Sequence, residues 1–396
     1  MSKRIQLFVF FIVIFLLTTP QVFAQKLIYS PEEYRNLVKT IFETKLKKYT
    51  KIYSTTFEVN YDLPTRRETV TIDMFSPPYE VSEKMKEEIN VFKKRNKIFY
   101  SSKFYYIYLL KEQFFFTPVP IQYFGMFTCP AETIFNLRFG NCFSLTNLFV
   151  ALSREAGMES YYYLVPDVSA TYLSGETLVS TIHIICGVEV GASSPYFVDF
   201  LPGTEANNYS LLLKFHKLKK LSDIEAAGLF YNNLACKFYL EKDYGFSEYL
   251  FQFASSLYPD SPLIANNLGV VYKKVGDYNK SMEYFLKALE LGGNIQSIIA
   301  NIISTKKYLS PKEKEYIEEV LEDSLKTNYY WHLLKADKYL AQKDFDKALE
   351  EIKIADKLSP SNQQVYSYYI RYAAKTGDKK MLDKYLQKIR YFLSRQ

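Results

Sequence analysis

Histidine, tryptophan and cysteine are scarce in this sequence of 396 residues, with three, one and four copies. The histidines, His183, His216 and His332, are scattered, and Cys129, Cys142, Cys186 and Cys236 form no CxxC pair or other metal-type spacing. A zinc site and a metal cofactor are therefore not expected, nor is any other cofactor. A strong charge excess is also missing: the net charge is +7, and Lys3 and Arg4 supply two of those charges. The remainder is dispersed, which argues against nucleic acid as a partner. The apolar run at residues 7–17 is too short to span a bilayer comfortably.

What is present is an ordinary globular balance, 48% hydrophobic and 23% charged, with 36 Tyr and 31 Phe as core material. The length suggests two or three domains. Residues 1–24 read as a signal peptide: Lys3 and Arg4, the apolar run, Pro20, then small residues around Val22-Phe23-Ala24. The chain is accordingly expected in the periplasm or outside a bacterial cell. No cysteine follows the apolar run, so membrane attachment would require the first segment to stay uncleaved. In an oxidising compartment cysteines can pair. A Cys129–Cys142 disulfide would silence either thiol.

The stretch with most chemical content is 140–157. Gly140-Asn141-Cys142 leads into Leu145, Leu148, Phe149 and Leu152 at helical spacing, and Gly157 stands at the expected C-cap. Cys142 then sits at the positive end of a helix dipole, where a thiolate is favoured. A lone cysteine is more often a small buried hydrophobe, and the second half of the argument lies downstream. In the strand expected over 179–190, alternation separates His183 from Ile182, Ile184 and Cys186. A turn at 191–195 leads to Tyr196-Phe197-Val198-Asp199-Phe200. A hairpin centred on Gly191 would set His183 directly across from Asp199. Cysteine, histidine and aspartate in this order make a nucleophile, a base and its orienter.

The order Gly140-Asn141-Cys142, Leu148 to Gly157, His183 and Phe197-Val198-Asp199 resembles the transglutaminase-like superfamily of papain-fold thiol proteins. The resemblance covers roughly residues 126–203. It implies an α+β papain-like domain over 126–210, with Cys142 as nucleophile, His183 as general base and Asp199 as its orienter. Ile185 stands where many members carry Trp, and only Tyr196-Phe197 remains of the usual aromatic run before the aspartate. The chemistry implied is acyl transfer from amides, hydrolysis rather than cross-linking, since no amine site is specified. The Cys142 N–H and the Asn141 side chain are the oxyanion candidates. The rival reading is a catalytically silent scaffold.

Upstream, residues 25–125 form a mixed α/β region that either flanks this domain or belongs to it. Helices are expected at 31–53 and 80–95, and strands at 55–61 and 68–74. The aromatic stretch 103–116 fits no single pattern. Downstream, a basic linker (211–221) precedes residues 224–396, whose period is 34. Asn232-Asn233-Leu234-Ala235 recurs as Asn266-Asn267-Leu268-Gly269, Asp243-Tyr244 as Asp277-Tyr278, and Phe251 as Phe285; a later copy holds Ala336, Asp344-Phe345, Ala348 and Pro360. The pattern resembles tetratricopeptide (TPR) repeats and implies an all-α solenoid whose concave face takes a protein or peptide partner. Copies at 296–328 and 363–396 are degenerate. Asn232 and Asn266 are the partner-binding candidates; Trp331 and His332 read as ordinary helix residues.

Overall fold

The computed structural model describes residues 26–46, 54–60, 67–125, 127–165, 171–174, 177–191, 195–200, 218–293 and 295–393. The expected signal peptide lies outside them. The chain divides into two compact units, one ending at Asn301 and the other beginning at Ile302.

The first unit opens with α1 (Pro31–Thr44), started by a capping box between Ser30 and Glu33, with Tyr34, Val38, Ile41 and Phe42 buried on one face. Strands β1 (Ser54–Asn60) and β2 (Arg67–Asp73) form an antiparallel hairpin. Helix α2 (Glu83–Asn96) buries Met85, Ile89 and Phe92. The aromatic stretch is helical: α3 (Lys103–Lys111) runs into a wide turn over Glu112–Phe116. Strand β3 (Gln122–Tyr123), helix α4 (Ala131–Leu137) and strand β4 (Phe139–Gly140) follow, β3 and β4 pairing in parallel.

Helix α5 (Cys142–Glu155) is buried at every residue from Cys142 to Ser153. It packs on β5 (Ser160–Val165) and β8 (His183–Val188) and also meets α2, α3 and α4. A short hairpin, β6 (Thr171–Ser174) and β7 (Thr177–Ser180), is inserted between β5 and β8. With β9 (Tyr196–Val198) and β10 (Lys219–Leu221), the sheet has the order β10-β5-β8-β9, antiparallel throughout. Thr146 donates to the Ile184 carbonyl (3.1 Å) and Tyr162 to Asn147 Oδ1 (3.0 Å), which ties the helix to the sheet.

Helix pairs follow: α6 (Asp223–Leu240) with α7 (Tyr244–Leu257), then α8 (Pro262–Lys274) with α9 (Tyr278–Glu290). The repeated aspartate is a helix cap. Asp243 accepts from the Phe246 N–H and Asp277 from the Lys280 N–H, each at 3.1 Å. Ser247 donates to the Ala235 carbonyl at 2.9 Å and Ser281 to Gly269 at 2.7 Å, fixing the second helix of each pair on the first. Helix α10 (Ile295–Lys306) crosses the boundary between the units.

Residues 211–217 of the expected basic linker lie outside the described residues, and the first unit extends on to Asn301. Helix α6 is buried from Asp223 to Cys236 because α7 and α8 cover one side and the thiol helix and the N-terminal region cover the other. The Asp223 N–H donates to the Leu27 carbonyl (2.8 Å), Phe143 meets Phe230 (6.0 Å), and Phe42 stacks on Phe253 (5.4 Å). Residues from the N-terminal region therefore belong to the same unit as the thiol helix and the first two helix pairs.

In the second unit, α11 (Pro311–Leu325) precedes the pairs α12 (Tyr329–Gln342) with α13 (Phe345–Leu358) and α14 (Gln363–Thr376) with α15 (Lys379–Leu393). Asp344 caps α13 through the Lys347 N–H, and Asp378 accepts from the Met381 N–H at the same place in the last copy. Leu333, Ala336, Ile352, Ala355, Val365 and Tyr369 form its core. The degenerate copies are helical as well. These are the helix pairs that the 34-residue period implies.

Candidate active site

Three consecutive residues set up the thiol. A Cβ on Gly140 would stand 2.8 Å from both Ile134 Cδ1 and Ser144 Cβ, so only glycine lets this strand lie so close to the helix start. Asn141 is the N-cap: its Oδ1 accepts from the Ser144 N–H at 3.0 Å. Cys142 is therefore the first residue of α5, among the N–H groups that open the helix. Its side chain is nearly covered, at 7% exposure. Ser144 locks the turn by donating to the Phe127 carbonyl (3.2 Å) and accepting from the Cys129 N–H (2.8 Å).

His183 opens β8 opposite Val165. The β8–β9 register pairs Cys186 with Val198 and Val188 with Tyr196. That differs by two residues from the hairpin expected around Gly191, whose loop at 192–194 lies outside the described residues. Carried one step further, the register sets Asp199 across from Ile185 and diagonal to His183. A shift of two keeps the same face, and a diagonal neighbour is still within reach of a long side chain. His183 Nε2 stands 2.8 Å from Asp199 Oδ1, with both side chains almost fully buried.

Burial disfavours the charged imidazole, but Asp199 and then Cys142, each by hydrogen bonding and by charge, outweigh it and push His183 up to about 9. The ring thus lies between a carboxylate and a thiol, as an orienter and a nucleophile require. Neither ring nitrogen meets strict hydrogen-bond alignment.

All four cysteines are free, so no disulfide takes up Cys142. Burial pushes Cys129 and Cys186 up to about 12 and raises Cys236 as well, which keeps these three as thiols. The other expected site residues have definite places. Asn141 Nδ2 donates to Thr128 Oγ1 (2.6 Å), with a longer contact to the Gly125 carbonyl (3.5 Å). Both ends of the Asn141 amide are thus engaged within the turn. Asn232 Oδ1 accepts from Asn267 Nδ2 at 2.9 Å, and Asn266 Oδ1 from Asn301 Nδ2 at 3.0 Å. Asn232 is fully buried and Asn266 nearly so; both serve as rungs between first helices of successive pairs. Sequence reasoning missed Thr128, Asn267 and Asn301; the 34-residue period held the signal for Asn267, which is the next residue after Asn266 in the repeated motif. His332 is a buried pairing residue, 2.5 Å from Glu351 Oε2 and 2.9 Å from the Lys326 carbonyl.

No family model and no curated protein matches the chain. Among solved structures, MamA (residues 41 to the end) from Desulfovibrio magneticus RS-1 is similar at 16% identity, covering 43% of this chain and 96% of that one, with a TM-score of 0.28. PilF of Pseudomonas aeruginosa gives 16% identity over 44% of this chain and 87% of that one, with a TM-score of 0.28. YrrB, described as a TPR protein with an unusual peptide-binding site, gives 14% identity over 41% and 84%, with a TM-score of 0.24. At such scores the repeat assignment rests on the helix pairs of this chain itself.

Proposed function

We propose that this protein binds a protein or peptide partner through its helix pairs and acts on amide bonds through Cys142, His183 and Asp199. The observation that carries the reading is the His183 ring, set 2.8 Å from Asp199 and raised by both Asp199 and Cys142. An imidazolium beside a cysteine at a helix N-terminus favours the thiolate. In the reaction, the Cys142 sulfur adds to the amide carbonyl carbon and the oxyanion meets first-turn N–H groups. The intermediate collapses as His183 passes its proton to the leaving amine. His183, now neutral, takes a proton from water; the hydroxide attacks the thioester and frees the acid and Cys142.

This is the chemistry of the transglutaminase-like thiol proteins, with hydrolysis as its default outcome. Export from a bacterial cell belongs to the same proposal and rests on residues 1–24. The test is to screen chromogenic peptide amides and to search by intact mass for an acyl adduct on Cys142. An adduct that is absent in Cys142→Ser supports the reading.

The second reading is a silent scaffold that works by partner binding alone. The closed site favours it, since Cys142 and His183 are 7% and 4% exposed. No adduct with any amide, ester or thiol-directed probe would decide for the scaffold.

A further inference from the structure

The aromatic stretch whose pattern the sequence left open has an unusual surface. Residues 93–111 contain six basic residues, Lys93, Lys94, Arg95, Lys97, Lys103 and Lys111, and not one acidic residue, in a chain of net charge +7. Three of the six hold the segment onto the fold. Lys93 and Lys103 donate to the Glu155 and Glu189 carbonyls, each at 3.2 Å, and Lys111 lies over the Phe200 ring. Lys94, Arg95 and Lys97 are exposed.

Beside these charges the segment leaves large apolar groups uncovered. Ile98 is 78% exposed and Phe104 57%; Tyr105 and Tyr108, also exposed, stack on each other at 6.1 Å. On α3 the exposed residues 104, 105 and 108 fall on one side, while Tyr106, Ile107 and Leu110 are buried. Phe99 packs edge-on against Tyr105, which joins the helix to the turn before it. The result is an exposed apolar ridge with cations in the same segment.

We infer that residues 93–111 dock the protein on the surface of an anionic lipid bilayer. Rings with one apolar and one polar end settle at headgroup level, and lysine and arginine beside them are drawn to anionic lipid. Residues 93–111 themselves add no carboxylate to oppose that attraction. Contact is peripheral: among the described residues no helix is long and apolar enough to cross a membrane.

The test is sedimentation of the full chain with vesicles of phosphatidylcholine alone and of phosphatidylcholine mixed with phosphatidylglycerol. Tighter partition to the phosphatidylglycerol vesicles, weakened by added salt, is expected. Lys94→Gln, Arg95→Gln and Lys97→Gln together should lower that partition on the order of a hundredfold, from about fivefold per charge. Ile98→Asp with Phe104→Asp should lower it too. These side chains are exposed, and circular dichroism checks that each variant is folded. In the full chain, Ile98→Trp should shift its fluorescence to the blue on phosphatidylglycerol vesicles. Equal partition to both vesicle types, or variants that partition like the parent, would overturn the inference. So would a ridge that takes up an acidic protein and ignores both vesicles.

Discussion

Arg154, in the last turn of the thiol helix, forks onto Asp223, the first residue of the first helix pair: Nη1 to Oδ2 at 2.9 Å and Nη2 to Oδ1 at 2.8 Å. The cation sits at a helix C-terminus and the carboxylate at a helix N-terminus, so both dipoles favour the pair. The Tyr29 N–H also donates to Asp223 (2.9 Å), and Arg154 donates to the Ser160 carbonyl. Asp223 thus ties together the segment before α1, the thiol helix and the start of the helix pairs. The Asp223 side chain is wholly buried.

Removing one partner leaves the other charge buried. Arg154→Leu should destabilise the chain by roughly 3–5 kcal/mol, and Asp223→Asn should cost less because the amide still accepts from Tyr29. Arg154→Met with Asp223→Leu should recover part of the loss. Urea denaturation checks this, and single variants within about 1 kcal/mol of the parent would refute it.

The register of the histidine strand depends on Gly187. A Cβ there would stand 2.5 Å from Tyr163 Cε2 and 3.1 Å from Phe197 Cε1, two rings packed edge-on at 5.0 Å. Gly187→Ala should cost roughly 1–3 kcal/mol by overpacking. It should also disturb β9 and hence Asp199. Thermal melting and thiol reactivity measured together would show whether both fall.

His183 gives a pH dependence with a definite sign. Its folded value, about 9, lies above the ordinary 6.5. The stabilisation is therefore complete below about 6.5 and lost as pH rises through about 9. Melting temperature should fall more steeply from neutral to alkaline pH in the parent than in His183→Gln. Asp199→Asn should bring the His183 titration down, as read from imidazole nitrogen shifts by NMR. An unchanged titration would remove Asp199 as the orienter.

Asn232 and Asn266 separate packing from recognition. Asn232→Ala leaves Asn267 Nδ2 without its 2.9 Å acceptor in a buried place, at a cost of about 1–3 kcal/mol. A stability loss measured without any partner supports the rung role. An unchanged midpoint would return both residues to the list of recognition groups.

Local signals were the legible ones. Capping, spacing and the 34-residue period are short-range features, so the thiol helix and the helix pairs could be read directly. The repeated aspartates work as N-caps and for that reason survive even in the degenerate last copy. The β8–β9 register was off by two because a loop centre cannot be fixed by composition alone. The 103–116 stretch gave no pattern because Phe and Tyr occupy its buried and its exposed sides alike. The two asparagines were expected on a binding face. Their rung contacts join helices about one repeat apart, and a sequence does not display those.

The central claim is a thiolate held at Cys142 by His183. The most direct measurement is the pH dependence of iodoacetamide alkylation at Cys142, in the parent protein and in His183→Ala. The account predicts that Cys142 is alkylated readily at neutral pH in the parent and that His183→Ala loses this reactivity. Alkylation that follows an ordinary thiol in both proteins, or no alkylation in either, would contradict it.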